Sequence, residues 1–397
     1  MKIMVVCQYY APEPFRVTDI CEELVRRGHE VSVVTGVPNY PEGRIYPGYE
    51  RGKRKDEVVN NVKIHRCWTI PRKNGTLWRF LNYFSYPLSS SIYVQSKKCS
   101  AADGGDYDVV FINQLSPVMM ASAGIAYKKK HHVPIVLYCL DLWPESLTAG
   151  GIERGSAVYR VFHRISERIY TQIDRILVTS RMFKGYLNRE FGIDEASVAY
   201  LPQYAEGLFE PLPYKEADAF DFVFAGNVGA LQSVDTILNA AAILKNEPVH
   251  FHIVGGGSEL ESLKTLAQEL TLENVTFYGR RPVEEMPNYY AMADAMLVTL
   301  KADPVLSLTL PGKVQSYMAA GKPIIGAIDG ETSEVIRKAQ CGFCGVAEDS
   351  ETLAENIRRF IVNKDGRQMG ENARAYYEKH FAQERVIDVL EQVLTAV

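Results

Sequence analysis

The sequence predicts an α/β protein made of two doubly wound domains in tandem, each a parallel sheet covered by helices. Three observations lead there. The chain has 397 residues, more than one ordinary domain uses and suited to two of about 150 to 200. Short β-branched runs alternate with helical patterns, the mark of strand–helix–strand units. The alternation lapses once, around 201–220, and then begins again.

In the first half, strands are predicted at Ile3–Cys7, Val31–Thr35, Val62–Cys67, Val109–Asn113, Ile135–Leu140 and Arg175–Thr179. Helical patterns lie between them at Arg16–Arg27, closed by Gly28, at Val118–Lys130 and at Ala157–Thr171. Leu-Pro-Gln-Tyr at 201–204 and Glu-Pro-Leu-Pro-Tyr at 210–214 read as a linker. In the second half, strands are predicted at Asp221–Ala225, His250–Val254, Val275–Tyr278, Ala295–Thr299 and Pro323–Ala327. Helices follow at Ser233–Leu244, Glu259–Leu270, Val283–Ala291, Lys313–Ala320 and Ser333–Ala339, and the tail from about Glu351 reads as two or three more. The expected organisation is a domain over 1–205, a second over 206–375, and a C-terminal helix over 376–397 for which the first domain is one packing partner. In such sheets ligands bind beyond the carboxyl ends of the strands, so facing sheets would place the site in the cleft between them.

Composition narrows the class. With 47% apolar and 23% charged residues the chain is expected to be a packed soluble protein. Ile3–Cys7 is too short for a secretory leader and no run approaches a bilayer span, so the expected location is the cytoplasm. Seven scattered cysteines fit a reducing compartment. Cys341-Gly-Phe-Cys344 has the spacing of half a zinc or redox site, but no second half completes it, which favours buried structural thiols. The net charge of −4 conceals an asymmetry: residues 1–200 carry 27 lysines and arginines against 20 carboxylates, residues 201–397 carry 17 against 28. A basic half suits an anionic partner; ordinary variation between domains explains it equally.

The second half holds three strand-to-helix junctions of one kind. Phe224-Ala-Gly-Asn-Val-Gly229 follows a predicted strand, Val254-Gly-Gly-Gly-Ser-Glu259 follows the next, and Pro311-Gly-Lys313 opens a third helix. Glycines there let backbone amides approach a phosphate, and helix N-termini add partial positive charge. Repeated three times in one domain, the arrangement points to a diphosphate, with Lys313 placed to meet it. No dinucleotide fingerprint follows the first strand, where the turn reads Gln8-Tyr-Tyr-Ala-Pro-Glu-Pro-Phe-Arg16, and no P-loop occurs.

These segments resemble the family-four retaining glycosyltransferases, and the likeness runs along the whole chain. It is carried by Phe222-Val-Phe-Ala-Gly-Asn227, Val254–Glu259, Val275-Thr-Phe-Tyr-Gly-Arg280, Tyr317-Met-Ala-Ala-Gly-Lys-Pro323 and Gly330-Glu-Thr-Ser-Glu334. Pro38-Asn-Tyr-Pro-Glu-Gly43 and Asp141-Leu-Trp-Pro-Glu-Ser146 resemble the subgroup that makes O-antigen, capsule and colanic-acid chains, including N-acetylfucosaminyl transferases. The resemblance implies a GT-B fold, with an acceptor-binding first domain and a nucleotide-sugar-binding second one. It implies a UDP-sugar as co-substrate, a polyprenyl-diphosphate-linked saccharide as acceptor, no cofactor and no metal. The donor set is expected from Gly226, Asn227, Gln232, Gly255, Arg280, Thr309, Gly312, Lys313 and Ser316. This chain departs from the family at several of them: the usual Arg and Lys stand as Asn227 and Gln232, and the two usual glutamates would fall at Leu308 and Ser316. Lys313, the amides of 310–313 and Arg16 are the obvious replacements for the lost charge.

Glycosyl transfer leaves negative charge on the departing diphosphate, so preorganised donors are required, or a metal. Asp106-Tyr-Asp108 has a metal-binding spelling but precedes its strand, at the end away from ligands. On the first domain, Glu13 and Arg16 lie in the turn after the first strand, Glu13 a base or a loop carboxylate, Arg16 a phosphate contact or a solvated helix residue. Tyr10, Asn39 and Tyr40, in the first two carboxyl-end loops, are acceptor-side candidates. Asp141 follows the fifth predicted strand, where it would orient or deprotonate an acceptor hydroxyl, or cap a loop. His131 and His132 end a lysine-rich helix, and His250 and His252 alternate on a strand without a third metal ligand.

Residues 51–98 carry eleven lysines and arginines against Asp56 and Glu57, interleaved with Trp68, Trp78, Phe80, Tyr83, Phe84 and Tyr86. That mixture suits an anionic membrane surface or a solvated segment; a lipid-linked acceptor favours the inner membrane face over nucleic acid. Two alternatives to a transferase remain at this point: a UDP-sugar 2-epimerase, which needs acids and a His clustered at the cleft, and a non-catalytic nucleotide-sugar-binding or assembly protein.

Overall fold

A computed structural model describes residues 1–72, 75–212 and 219–397. Lys73 of the basic segment and Pro213-Tyr214 of the linker lie outside the described residues. The chain divides into two compact units, one of Met1–Thr179, Phe183–Leu201 and Ile387–Val397, the other of Ser180–Met182 and Pro202–Val386.

The first unit is built on β1 (Lys2–Val6), β2 (Glu30–Gly36), β3 (Asp56–Val59), β4 (Val62–Cys67), β5 (Val109–Gln114), β6 (Ile135–Cys139), β7 (Arg175–Val178) and β8 (Val198–Tyr200). They form one eight-stranded sheet in the order β3-β4-β2-β1-β5-β6-β7-β8, parallel except where β3 runs antiparallel to β4. β1 and β5 are wholly or almost wholly buried, as strands covered on both faces must be. Its helices are α1 (Val17–Arg26), α2 (Thr76–Val94), α3 (Ser122–His131), α4 (Ala157–Tyr170) and most of α5 (Arg181–Phe191).

The second unit carries β9 (Phe220–Ala225), β10 (Val249–Val254), β11 (Val275–Gly279), β12 (Ala295–Thr299), β13 (Ile324–Ala327) and β14 (Gly342–Gly345) in an all-parallel sheet, ordered β11-β10-β9-β12-β13-β14. Around it lie α6 (Asp235–Ile243), α7 (Leu260–Glu269), α8 (Met286–Met292), α9 (Gly312–Ala319), α10 (Gly330–Ala339), α11 (Ser350–Asn363) and α12 (Gly366–His380). One face of this sheet packs Phe222, Phe224, Phe251 and Ile253 against Ile237, Leu353 and Ile357. The last helix, α13 (Gln383–Ala396), begins in the second unit and ends in the first.

Two strands escaped the sequence pattern, each for a physical reason. β3 opens on Asp56-Glu57 and is mostly exposed at the sheet edge, so it lacks an apolar face to read. β8 has only three residues, while β14 falls on the short apolar run around Cys341–Cys344, which reads as strand-like in the sequence. The helix expected over Val118–Lys130 is a 3-10 turn, Val118–Ala121, running into α3. Local pairings account for the other singled-out groups. Asp108 accepts the Lys2 amide at 2.7 Å and Asp106 pairs with His131 at 2.7 Å. His252 sits between Asp221 and the Tyr278 hydroxyl, each at 2.9 Å, while His250 faces Thr276 at 2.8 Å. Cys341 and Cys344 are free, and burial raises both thiols, Cys344 to about 12.

Candidate functional site

In the second unit the chain leaves β9 at Gly226, with φ +148°, and leaves β10 at Gly255, with φ +155°. A Cβ on Gly255 would lie 1.8 Å from the Gly226 carbonyl oxygen, and one on Gly257 would lie 2.2 Å from that of Val228. The two loops therefore cross backbone against backbone, which only glycine allows. Three amides fasten them: Gly226 to the Val254 carbonyl at 2.9 Å, Val228 to Gly256 at 3.0 Å, and Gly255 to Gly279 at 2.9 Å. Arg280 joins from the loop after β11, its Cβ 3.2 Å from where a Gly256 Cβ would be, with the residue itself exposed.

Lys313, in the first turn of α9, enters the same cluster. Its Nζ donates to Gln232 Oε1 at 2.8 Å, stands 3.9 Å from the centroid of the buried Phe224 ring, and lies 2.9 Å from where a Gly226 Cβ would be. Gly226 thus makes room for the ammonium as well as for the turn. Among the described residues no carboxylate pairs with Lys313. Burial without a counter-charge pushes its pKa down to about 7. A cation held this way, beside a helix N-terminus and crossing glycine loops, favours an anion that restores the missing charge.

The remaining donor-side candidates divide. Asn227 is exposed, its amide nitrogen 2.7 Å from where a Gly229 Cβ would be, and Gly312 is the first residue of α9. Thr309 and Ser316 use their hydroxyls locally. Thr309 donates to the Leu306 carbonyl at 2.7 Å, and Ser316, 5% exposed, is 3.4 Å from Glu206 and from the Gly312 carbonyl. Phe224, the first residue of the first glycine junction, lies under Lys313, and period two along β9 turns it to the same face as the buried Phe222.

In the first unit the carboxyl ends of β1, β2, β5 and β6 carry two knots of residues. In the first, Glu13 Oε1 accepts the Asn39 and Tyr40 amides, both at 2.7 Å, and Oε2 accepts the Tyr10 amide at 3.3 Å. Burial pushes its carboxyl up to about 7, against those amides and the Arg66 guanidinium, which favour the ionised form. Three amides on one carboxylate make Glu13 a clamp between loops. Asn39 completes it, accepting the Arg72 amide at 3.0 Å and donating to the Val37 carbonyl at 2.8 Å. Tyr40 packs at a tilt against Tyr9 and Phe15, with centroids 5.6 and 5.2 Å away. Tyr10, expected on the acceptor side, is 1% exposed with its phenol beside Cys21; its side chain is core and only its amide serves the loop. Arg16 is half-buried at the N-cap of α1.

The second knot was not legible as a group. Ser116 Oγ donates to Asp141 Oδ2 at 3.1 Å and in turn accepts from Trp143 Nε1 at 2.8 Å. Gln114 donates to the Asp141 carbonyl at 2.9 Å. Burial raises the Asp141 carboxyl, opposed by the Ser116 hydroxyl and amide and by the charge of Arg72. The charge of Arg72 also acts on the Tyr9 hydroxyl, so one guanidinium bears on both knots. Ser116 and Arg72 were missed as site residues. The signal for Ser116 was its place in the loop just after a strand's carboxyl end; Arg72 was hidden in a basic count.

Comparison with known proteins bears on both units. Residues 15–203 match the family described as glycosyl transferase 4-like domain, and residues 213–376 match glycosyl transferases group 1; together they take in most of the chain. The chain is 27% identical over 339 residues to a probable glycosyltransferase, WbjE, of Pseudomonas aeruginosa, covering 82% of this chain and 83% of that protein. It is 25% identical over 415 aligned positions to the putative colanic acid biosynthesis glycosyl transferase WcaI of Escherichia coli K12, covering 98% of each. Among solved structures, Anabaena HepE in complex with UDP-glucose superposes with a TM-score of 0.71 at 16% identity over the full length of both chains.

Proposed function

The chain belongs to the glycosyltransferases, with a 4-like domain ahead of a group 1 domain on the GT-B fold, and on that premise we propose that it moves a sugar from a UDP-sugar to a lipid-linked saccharide in surface polysaccharide synthesis. The donor sugar in this reading is N-acetylfucosamine or another N-acetylhexosamine, transferred with retention. WbjE and WcaI, the second named for colanic acid synthesis, support the polysaccharide role, and the UDP-glucose held by HepE supports the donor class. An epimerase or a silent binder has no comparable support.

One observation carries the donor reading: Lys313, without a carboxylate partner among the described residues, among loops whose glycines admit backbone to backbone contact. A leaving UDP needs its developing charge met by fixed donors, and the Lys313 ammonium with the amide of Gly312 can supply them, while Gly226 and Gly255, whose own amides are committed to carbonyls, give the room for close approach. In this reading Lys313 takes the place of the cations absent at Asn227 and Gln232, Gln232 holding the ammonium in position. Asn227 and Arg280 serve the donor from the rim, while Thr309 and Ser316 fix the approach to α9. Transfer needs no metal, so activity is expected to survive a chelator. The first unit takes the acceptor, with Asp141 orienting its hydroxyl, Glu13 holding the loops that carry Asn39 and Tyr40, and Arg16 near the phosphates. Among the described residues no helix is long and apolar enough to cross a membrane; the acceptor's lipid places the enzyme at the inner membrane face, touching it through 51–98.

Calorimetry with UDP tests this. Binding is expected in the native chain, and Lys313→Met should weaken it by about 10- to 100-fold, the worth of a charge-assisted hydrogen bond. A native chain indifferent to uridine, guanosine and thymidine diphosphates overturns the proposal.

A further inference from the structure

Away from these loops, α2 presents an apolar row that nothing in its own unit covers. Leu81, Phe84, Leu88 and Ile92 recur at helical spacing and are 39, 47, 63 and 65% exposed, while Asn82, Tyr86, Ser90 and Val94 on the opposite side are fully buried. An ordinary surface helix buries one apolar stripe and shows water a polar one; α2 buries a mixed stripe and shows water the apolar one. Trp68, 61% exposed, lies beside it, its carbonyl accepting Ser89 Oγ at 2.6 Å.

α4 runs alongside. Phe162 packs against Phe80 and Phe84, with centroids 5.9 and 6.3 Å away, and the helix exposes Val158 and Val161. Arg160, Arg164 and Arg168 follow one another a turn apart, all exposed, and among the described residues none pairs with a carboxylate. α2 contains no acidic residue and α4 only Glu167.

We propose that the α2–α4 face docks on the surface of an anionic lipid bilayer. The row from Leu81 to Ile92 enters the boundary between headgroups and acyl chains, Trp68 sits at headgroup level, and the three arginines pair with lipid phosphates. A second copy of the chain fits less well, because a two-fold contact would gather like charges at one interface, where anionic lipid neutralises them. Within 51–98 the contact is made by Trp68 and α2, with α4 beside them, and not by the basic residues of β4. Arg66 is 3% exposed and bonded to Glu57 and the Ala11 carbonyl, and Lys63 pairs with Glu30. The biological sense of this contact rests on the lipid-linked acceptor proposed above, but the contact itself needs no substrate to be measured.

The test is flotation of the full chain with phosphatidylcholine vesicles, with and without phosphatidylglycerol, alongside UDP calorimetry and sedimentation. The native chain should float with the anionic vesicles and much less with neutral ones. Leu88→Glu with Ile92→Glu should reduce flotation about tenfold or more, the factor set by ~1.4 kcal/mol. Arg160→Gln, Arg164→Gln and Arg168→Gln together should erase the preference for anionic lipid, about a hundredfold at ~1 kcal/mol per arginine. Both variants should keep native melting and UDP binding, since every changed side chain is exposed. Flotation that is absent, indifferent to lipid charge, or unchanged in the variants overturns the proposal, as does a native dimer that Leu88→Glu dissociates. Failure of UDP binding with flotation intact sinks the donor reading and leaves this one standing.

Discussion

Lys313 has an ammonium that titrates near neutrality because it is buried without a counter-charge, and this makes diphosphate binding depend on pH in a direction that can be worked out. Only the protonated form attracts UDP. With the free-protein pKa lowered to about 7, affinity should fall as pH rises from 7 to 9, approaching about tenfold per unit, and binding above neutrality should take up a proton. Calorimetry in two buffers of different ionisation heat reads that uptake directly; equal heats would show that Lys313 is charged beforehand. Asp141 invites a kinetic test. Asp141→Asn keeps an oxygen to accept from Ser116, so melting should hold, while kcat with acceptor should drop by ~100- to 10,000-fold if the carboxylate handles the hydroxyl proton. An unchanged kcat would leave Asp141 a loop anchor.

At the scale of elements, the loops matter more than the strands they follow. Glu13→Gln would set an NH2 against the Tyr10 amide or against those of Asn39 and Tyr40, leaving at least one donor facing a donor. A cost of ~1–3 kcal/mol follows, visible as a lower midpoint in urea, with the loop after β2 more open to hydrogen exchange. The same loops explain how far sequence reading reached. β12 is an apolar run between turn signals, and its observed ends coincide with those expected. The glycine junctions after β9 and β10 were legible because glycine has a local reason. The cluster of Asp141, Ser116, Trp143 and Arg72 was not, because its members come from three loops brought together only by strand order, and no periodicity encodes that. Tyr10 failed similarly: adjacent to Tyr9 in a loop, it turns inward toward Cys21, and loops lack the alternation that tells inside from outside.

For the molecule as a whole, the organising fact is that residues 387–397, which follow the second unit in sequence, complete the first. Ile387, Leu390 and Leu394 of α13 are essentially fully buried, and Arg27 meets Asp388 at 2.6 Å and Glu391 at 2.9 Å while His29 meets Glu391 at 2.8 Å. Removing 387–397 should therefore unfold or loosen the N-terminal unit, each lost aliphatic costing ~2–5 kcal/mol, while UDP binding by the second unit persists. Differential scanning would show an early transition absent from the full chain; a uniform loss across both units would argue against it.

This closure also sets an order of assembly during synthesis. The first eight strands leave the ribosome early, yet the helix that seals them is translated only after the whole second unit, so they must wait, partly open, for it to emerge. The later half can close before the earlier one, and a stalled or shortened message would leave the opening half of the protein, rather than its end, for chaperones and proteases to find.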